Sequence, residues 1–314
     1  MKAGYDILGL GGIAVDDLIY VEAYPAPDTK TLIQGRERRC GGLTATAMVA
    51  ASRAGKSCAF AGVLGPGELS AYVQGELQQE GVDVEYVVQH PEGRPIHATI
   101  VVDGRGQRNI FAEIPAVTGA DKVRLREELI LSCSLLFVDD LGGEGAVRAA
   151  RVARCAGIPV VADFERQRSP LFAELLALPD HLVLPQNLAA TLTGAGKPAD
   201  ALRDLWGDER RAVVITCGSQ GCWYRGGSSA GDIRHQPAFP VNAVDTTGCG
   251  DVFHGAYAAA LLDGLDLDGC VRRAAATAAL KATRTGGWAG IPHLREVQDF
   301  LQCLGEADGT RAVR

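Results

Sequence analysis

One stretch of this 314-residue chain brings together residue types suited to handling a phosphate: Val244-Asp245-Thr246-Thr247-Gly248-Cys249-Gly250-Asp251-Val252-Phe253, which runs straight into the small apolar segment Gly255-Ala256-Tyr257-Ala258-Ala259-Ala260-Leu261-Leu262. A glycine loop that opens a helix leaves the amides of Gly248, Cys249, Gly250 and Asp251 unpaired at the positive end of the helix dipole, and the missing Cβ atoms let an anion approach. An acid inside such a hole is costly unless it has a task. With phosphate over those amides, Asp251 stands where it can take the proton from a hydroxyl attacking that phosphate. A plainer reading uses the same residues: Thr246 and Thr247 cap the helix and Asp251 complements its dipole.

Three other signatures fail on context. Gly9-Leu10-Gly11-Gly12-Ile13-Ala14 fits a dinucleotide fingerprint, but Asp16-Asp17-Leu18-Ile19-Tyr20-Val21 and two prolines follow where a helix is needed. Gly55-Lys56-Ser57 looks like the end of a phosphate loop, yet Ala50 stands at the required first glycine and the segment closes a helix. Gly227-Ser228-Ser229-Ala230-Gly231 matches GxSxG without the following helix that a nucleophilic serine stands on.

The elements that must position the loop follow from periodicity. Asp6–Gly12 predicts a buried strand, Thr44–Ala54 a helix and Ala59–Leu64 a strand. From about residue 121 the pattern becomes regular: helix 121–131, strand 135–139, helix 145–156, strand 159–163, a strand near 181–184 and strand 212–217. Such alternation predicts a parallel sheet with helices on both faces. Hairpin-like strands are expected over 221–240, and helices over 250–263, 267–285 and 294–304. The runs 17–22, 30–39, 97–103 and 107–113 contain no helical pattern, and Gly104-Arg105-Gly106 joins the last two as a hairpin. They predict a small β-rich lid, inserted in two pieces (about 13–40 and 95–118) into a larger α/β domain (about 1–12, 41–94 and 119–304), with 305–314 a loose tail.

Composition bounds the function classes. The formal charge of −7 supplies no overall basic field for nucleic acid or an anionic membrane, and 47% hydrophobic residues suffice for a large core. No apolar run approaches the roughly 20 residues of a membrane span, and no signal-peptide pattern opens the chain, so a cytoplasmic protein is expected. The nine cysteines are scattered singly without a CxxC pair, which suggests reduced, mostly buried thiols.

The segment Asp245-Thr246-Thr247-Gly248-Cys249-Gly250-Asp251 resembles the DTxGAGD signature of the ribokinase-like (PfkB) carbohydrate kinases, with Cys249 in place of Ala. The resemblance extends in order through Gly12 and Asp16, Cys40-Gly41-Gly42, Gly55, Gly62-Val63-Leu64-Gly65, Thr216-Cys217-Gly218-Ser219-Gln220-Gly221 and Ala278-Ala279-Leu280-Lys281. It implies a three-layer α/β/α fold with a mostly parallel sheet and a small β-sheet lid. It implies further an enzyme that uses ATP and Mg2+ to phosphorylate a hydroxymethyl group of a small sugar. In this pattern Asp251 is the catalytic base and Gly248, Cys249 and Gly250 form the anion hole. Asp16, Gly41, Gly42 and Thr46 meet the sugar, while Asn187, Thr216, Gly218, Gly221 and Thr247 lie toward the nucleotide. Asp245 and Thr247 match positions near a monovalent cation, such as K+, in some members. Exposed lid strands imply a homodimer formed through the lids.

Departures from the family narrow the reading. Leu43 and Thr46 stand where asparagines often contact the sugar, and Leu184-Pro185-Gln186-Asn187-Leu188-Ala189 lacks the glutamate of an NxxE element. The segments His235-Gln236-Pro237-Ala238-Phe239, Phe253-His254-Gly255 and Thr285–Pro292 resemble the subgroup of ketohexokinases and sulfofructose kinases. Lys30, in the lid, is the one cation expected to meet an anionic group on a substrate. A neutral keto sugar or pentose is therefore the expected acceptor, with a nucleoside, a sugar phosphate or a sulfosugar as alternatives. A sugar-binding regulator without catalysis is the reading from another class. His254, three residues after Asp251, is expected to pack against the neighbouring helix, and Cys249, at a helix N-terminus, is a candidate redox-sensitive thiol.

Overall fold

The computed structural model describes residues 4–105, 107–226 and 231–311. The GxSxG segment 227–231 therefore lies almost wholly outside the described residues, and Gly106 of the expected hairpin turn does too.

The chain opens with β1 (Ile7–Leu10), β2 (Ala14–Tyr20), β3 (Gly35–Gly41) and α1 (Leu43–Arg53). It continues through β4 (Cys58–Phe60), β5 (Val63–Leu64), α2 (Glu68–Gln79), β6 (Val82–Asp83), β7 (Val88–Gln89), β8 (Ile96–Val102) and β9 (Arg108–Glu113). The regular part follows: α3 (Glu127–Ile130), β10 (Leu135–Asp139), α4 (Gly143–Cys155), β11 (Val160–Asp163), α5 (Phe172–Ala177), β12 (His181–Pro185), α6 (Gln186–Thr193), α7 (Pro198–Leu205) and β13 (Ala212–Thr216). The chain then runs through β14 (Cys222–Gly226), β15 (Ile233–Gln236), α8 (Cys249–Leu262), α9 (Leu267–Ala282) and α10 (Leu294–Arg311).

Nine strands form one sheet in the order β15-β14-β13-β12-β11-β10-β1-β4-β6, parallel throughout except for β14 and β15. Its strands are apolar on both faces because both are covered. Ile7, Leu135, Phe137, Val161 and Val183 point into one core, and Leu8, Leu136, Val138, Val160 and Leu182 into the other, as the two-residue period demands. Helices α1, α8 and α9 cover the first face. Strands β3-β2-β8-β9 form a separate sheet whose own apolar cluster is small: Leu18, Ala98 and Ile100 with Tyr20 and Val102 against them.

Several elements depart from expectation for local reasons. The strand expected over 59–64 splits, since Val63 and Leu64 leave the main sheet to pair with β7. The helix expected over 121–131 shrinks to Glu127–Ile130, because the Asp121 carboxylate takes the amides of Val123 and Arg124 and fixes a turn instead. Helix α10 runs on to Arg311, so the segment expected as a loose tail is helical through that residue. The rejected fingerprint at Gly9 indeed meets strand β2 instead of a helix, and Gly55 (φ 88°) ends α1.

Helices α1 and α8 touch backbone to backbone: a Cβ built on Gly255 would lie 2.1 Å from the Ala47 carbonyl oxygen. Gly255→Ala is therefore expected to force the two helices apart and lower stability by about 1–3 kcal/mol, the usual range for overpacking. Urea unfolding of the variant beside the wild type checks this.

Candidate active site

Strand β2 leaves the main sheet just past Gly12 and carries Asp16 on one face and Asp17 on the other. Asp17 looks outward, where Arg38 grips it at 2.7 and 2.9 Å and His97 Nε2 lies at 2.8 Å. Asp16 looks into a cavity of about 420 Å³ between the two sheets. Burial pushes its carboxyl up to about 6, opposed by the charges of Arg39 and His97.

Beside it β3 ends and α1 begins. A Cβ on Gly41 would stand 3.1 Å from Asp16 Oδ2, so the glycine keeps the carboxylate's side of the cavity open. Gly42 caps α1 at φ 96°, where a side chain would strike the Ile13 Cα at 2.6 Å. Both line the cavity, as does Thr46 on the next turn. The Thr46 hydroxyl accepts from Trp288 Nε1 at 2.9 Å, a partner the sequence did not announce.

The signature loop closes the other end of the same cavity, through residues 243–248 together with Asp251 and Val252. Gly248 is the N-cap residue of α8 at φ 74°, and no side chain caps that helix, so the capping role considered for Thr246 and Thr247 is not filled. One of the four amides expected to be free is in use: Cys249 N–H donates to Thr246 O at 3.2 Å. Gly250 has open space where its Cβ would be. Asp251 is half-buried on the first turn. Burial, then the charges of Asp163 and Glu165, hold its carboxyl well above the ordinary carboxylate range. The Cys249 thiol faces Ala278 O at 3.6 Å, and burial pushes it up to about 11, the opposite of the reactive thiolate considered from its place at a helix N-terminus.

His254, expected to pack against the neighbouring helix, is buried against the sheet instead, because both ring nitrogens find oxygen partners there and on its own first turn. Its Nδ1 meets Gly250 O at 2.8 Å and Asp163 Oδ2 at 3.3 Å, and its Nε2 meets Val183 O at 3.1 Å. It thus ties the first turn of α8 to β11 and β12.

Asp245 serves protein cations. Its carboxylate lies 3.2 Å from Arg39 and 3.8 Å from the buried Lys281, and its Oδ1 accepts the Thr247 amide at 3.0 Å. Burial alone would raise its pKa; the Thr247 hydrogen bonds and those two cations hold it low instead. These partners occupy the carboxylate that was considered for a monovalent cation. Thr247 lines this cavity and accepts from Arg108 of β9, which places it on the Asp16 side of the site.

The remaining expected residues lie elsewhere. Lys30 is exposed on the loop 21–34 and does not line the cavity; the cations that do are Arg39, Arg108 and Lys281. Asn187 is exposed at the start of α6, where its Oδ1 takes the Leu188 amide at 2.9 Å. Thr216 ends β13 with its hydroxyl toward Leu184 O at 3.4 Å, and Gly218 opens the short turn that follows. Gly221 is required by its own chain, since a Cβ there would meet Gln236 O at 2.0 Å. These four sit at or just past the C-terminal ends of β12 and β13, outside the described cavity.

No helix among the described residues is long and apolar enough to cross a membrane. The chain matches the model of the pfkB family carbohydrate kinases over residues 10–294. It is 29% identical over 304 residues to a ribokinase of Haemophilus influenzae, covering 93% of this chain and 97% of that one. It is 25% identical to a mouse (Mus musculus) ketohexokinase, covering 85% of this chain and 92% of that one. Its fold superimposes on the structure of an Arabidopsis thaliana ribokinase complexed with ribose and ATP with a TM-score of 0.83, at 22% identity over 95% of this chain and 99% of that one. With the family match spanning nearly the whole length and a glycine loop opening α8 beside Asp251, the chain belongs to the pfkB family of carbohydrate kinases, enzymes that phosphorylate sugars.

Proposed function

We propose that this kinase transfers the terminal phosphoryl group of ATP, delivered with Mg2+, to a hydroxymethyl group of a small keto sugar or pentose held against Asp16. The observation that carries the reading is the sharing of one cavity by Asp16, Gly41 and Gly42 with Gly248 and Asp251. The ribose and ATP of the Arabidopsis structure and the names of the curated relatives point the same way. In this scheme Asp16 accepts hydrogen bonds from sugar hydroxyls, which a buried carboxylate does strongly. The open mouth of α8 receives phosphate oxygens. Asp251, its pKa raised, takes the hydroxyl proton as the sugar oxygen–phosphorus bond forms and the bond to the departing ADP breaks; Mg2+ bound with the nucleotide would neutralise charge on the phosphates. Asn187, Thr216, Gly218 and Gly221 mark the sheet edge on which the nucleotide would lie. The small sheet covers the sugar and keeps water from competing as acceptor.

A second reading has its own observation. Arg108 enters the cavity, donates to the Thr247 hydroxyl and pairs with no carboxylate among the described residues, which favours a sugar bearing a phosphate, sulfonate or carboxylate. The assembly we propose is a homodimer through the small sheets: every residue of edge strand β9 is exposed, with Ile110 and Phe111 at 59% and 56%. Light scattering on a sizing column checks it.

A coupled ADP assay over ketoses, pentoses, nucleosides and sugar acids or phosphates tests the function. Sugar-dependent ADP release is expected, strongest for a neutral keto sugar or pentose. If acid-bearing sugars are strongly preferred, the second reading replaces the first. Tight sugar binding without ADP release would make the protein a sugar-binding regulator.

A further inference from the structure

In its last turn helix α9 carries a lysine that solvent does not reach. Lys281 is 1% exposed, and a charge so enclosed persists only when it is paired. Its Nζ donates to the Asp245 main-chain oxygen at 3.1 Å and lies 3.8 Å from Asp245 Oδ2, and it pairs with no other acid among the described residues. The second cation on that carboxylate, Arg39, is shared, since it also grips Glu37 at 2.7 and 2.8 Å. Lys281 is thus the counter-charge dedicated to Asp245.

Asp245 is also the residue at which the family resemblance places K+ or a similar ion. Such an ion exchanges its water for carbonyl and carboxylate oxygens. An ammonium carries the same single charge, is of nearly the same size and reaches the same oxygens with its three N–H donors. Both kinds of oxygen on Asp245 are engaged: Oδ1 by the Thr247 amide at 3.0 Å, Oδ2 by Arg39 at 3.2 Å and the carbonyl by Lys281. A K+ ion sharing them would lie against the ammonium, a repulsion that burial leaves poorly screened. The residues present therefore do not fit a monovalent ion at Asp245.

What the lysine does there follows from the chain path. The amides of Val244 and Asp245 both donate to Ala282 O, at 2.8 and 3.1 Å, so the signature loop is pinned to the end of α9 next to Lys281. Asp245 in turn holds the Thr247 amide, one residue before Gly248 turns at φ 74° into α8. A positive charge on Asp245 thereby fixes the backbone that leads into the proposed phosphate seat.

We propose that the Lys281 ammonium is a built-in substitute for the monovalent cation, holding the loop through Asp245 so that turnover needs no K+. The inference rests on the kinase reading above and adds to it a positioning residue that acts through Asp245.

The test has two arms. Sugar-dependent ADP release is compared in potassium nitrate and in tetramethylammonium nitrate, and thallium NMR follows the line width of Tl+, a probe for K+, titrated into the protein. For the wild type, kcat/KM is expected to agree within about twofold between the two salts, and Tl+ to keep its free line width. Larger stimulation by K+, or saturable broadening of Tl+, overturns the proposal. Lys281→Ser is expected to lose about tenfold in kcat/KM in tetramethylammonium, to regain most of it in K+, and to broaden Tl+. An unchanged kcat/KM, or a loss that K+ does not repair, overturns the role of Lys281 as the cation. If that variant does not fold, the wild-type measurements decide alone: K+ stimulation or Tl+ binding overturns the proposal, and the absence of both upholds it. A wild type that releases no ADP with any sugar would overturn the kinase reading itself, while the Tl+ arm still judges the lysine.

Discussion

Asp251→Asn is expected to lower kcat by about 10²–10⁴-fold, the range for losing a general base, with little change in ATP affinity. The substitution keeps size and shape on the first turn of α8 and removes only the ability to take a proton. Burial and the neighbouring charges of Asp163 and Glu165 raise the pKa of this carboxyl, which makes its ionised form a stronger base toward an alcohol. ATP affinity should hold because the proposed phosphate contacts are backbone amides, which the asparagine leaves in place. Turnover with the preferred sugar and nucleotide binding by calorimetry measure the two separately. Full turnover in the variant would remove Asp251 from the mechanism.

At the other end of the cavity, Asp16→Ala is expected to raise the KM for the sugar by about 10–10²-fold, the equivalent of one or two hydrogen bonds to a charged group, while the KM for ATP stays put. Asp16 also predicts a pH dependence. Its carboxyl, raised to about 6 chiefly by burial, accepts hydroxyl hydrogen bonds best when ionised, so the sugar KM should be flat above about 7 and climb as pH falls through 6. Asp16→Asn should flatten that climb. A loss of ATP affinity in place of sugar affinity would mean that the two ends of the cavity have been assigned the wrong way round.

The parts of this molecule that the sequence announces are those with short-range causes. The helix-free extended runs 17–22, 30–39, 97–103 and 107–113, with the hairpin signal between the last two, predict the small sheet, and the strand–helix alternation after residue 121 predicts the large one. The loop at Gly248 is legible because its glycines and Asp251 are adjacent in the chain. What escapes is set by distant contacts. Trp288 reaches Thr46 across 242 positions, Arg39 reaches Asp245 across 206, and Arg108 reaches Thr247 across 139. Lys30 is expected to be the cation of the site because it falls in the extended run 30–39 of the lid, yet it lies on the loop before β3, and Arg39 on that strand is the one turned inward. Asp163 closes an unremarkable apolar strand, and only the packing of α8 against β11 gives its carboxylate a setting. The stripe Ser70, Val73 and Leu77 along α2 has helical spacing but contains only two apolar residues, a faint signal in the chain.

The contact of Gly255 with Ala47 welds two helices into one piece. One of them carries Gly42 and Thr46, the proposed seat of the sugar, and the other Gly248, the proposed seat of the phosphate. On that proposal the gap between acceptor and donor is a fixed gauge, as unadjustable as the spacing of two pins in a block. Acceptors of different length can be accommodated only by shifting the roof above them, so broadening what this enzyme accepts is a matter of re-cutting β2, β3, β8 and β9 and leaving the gauge alone.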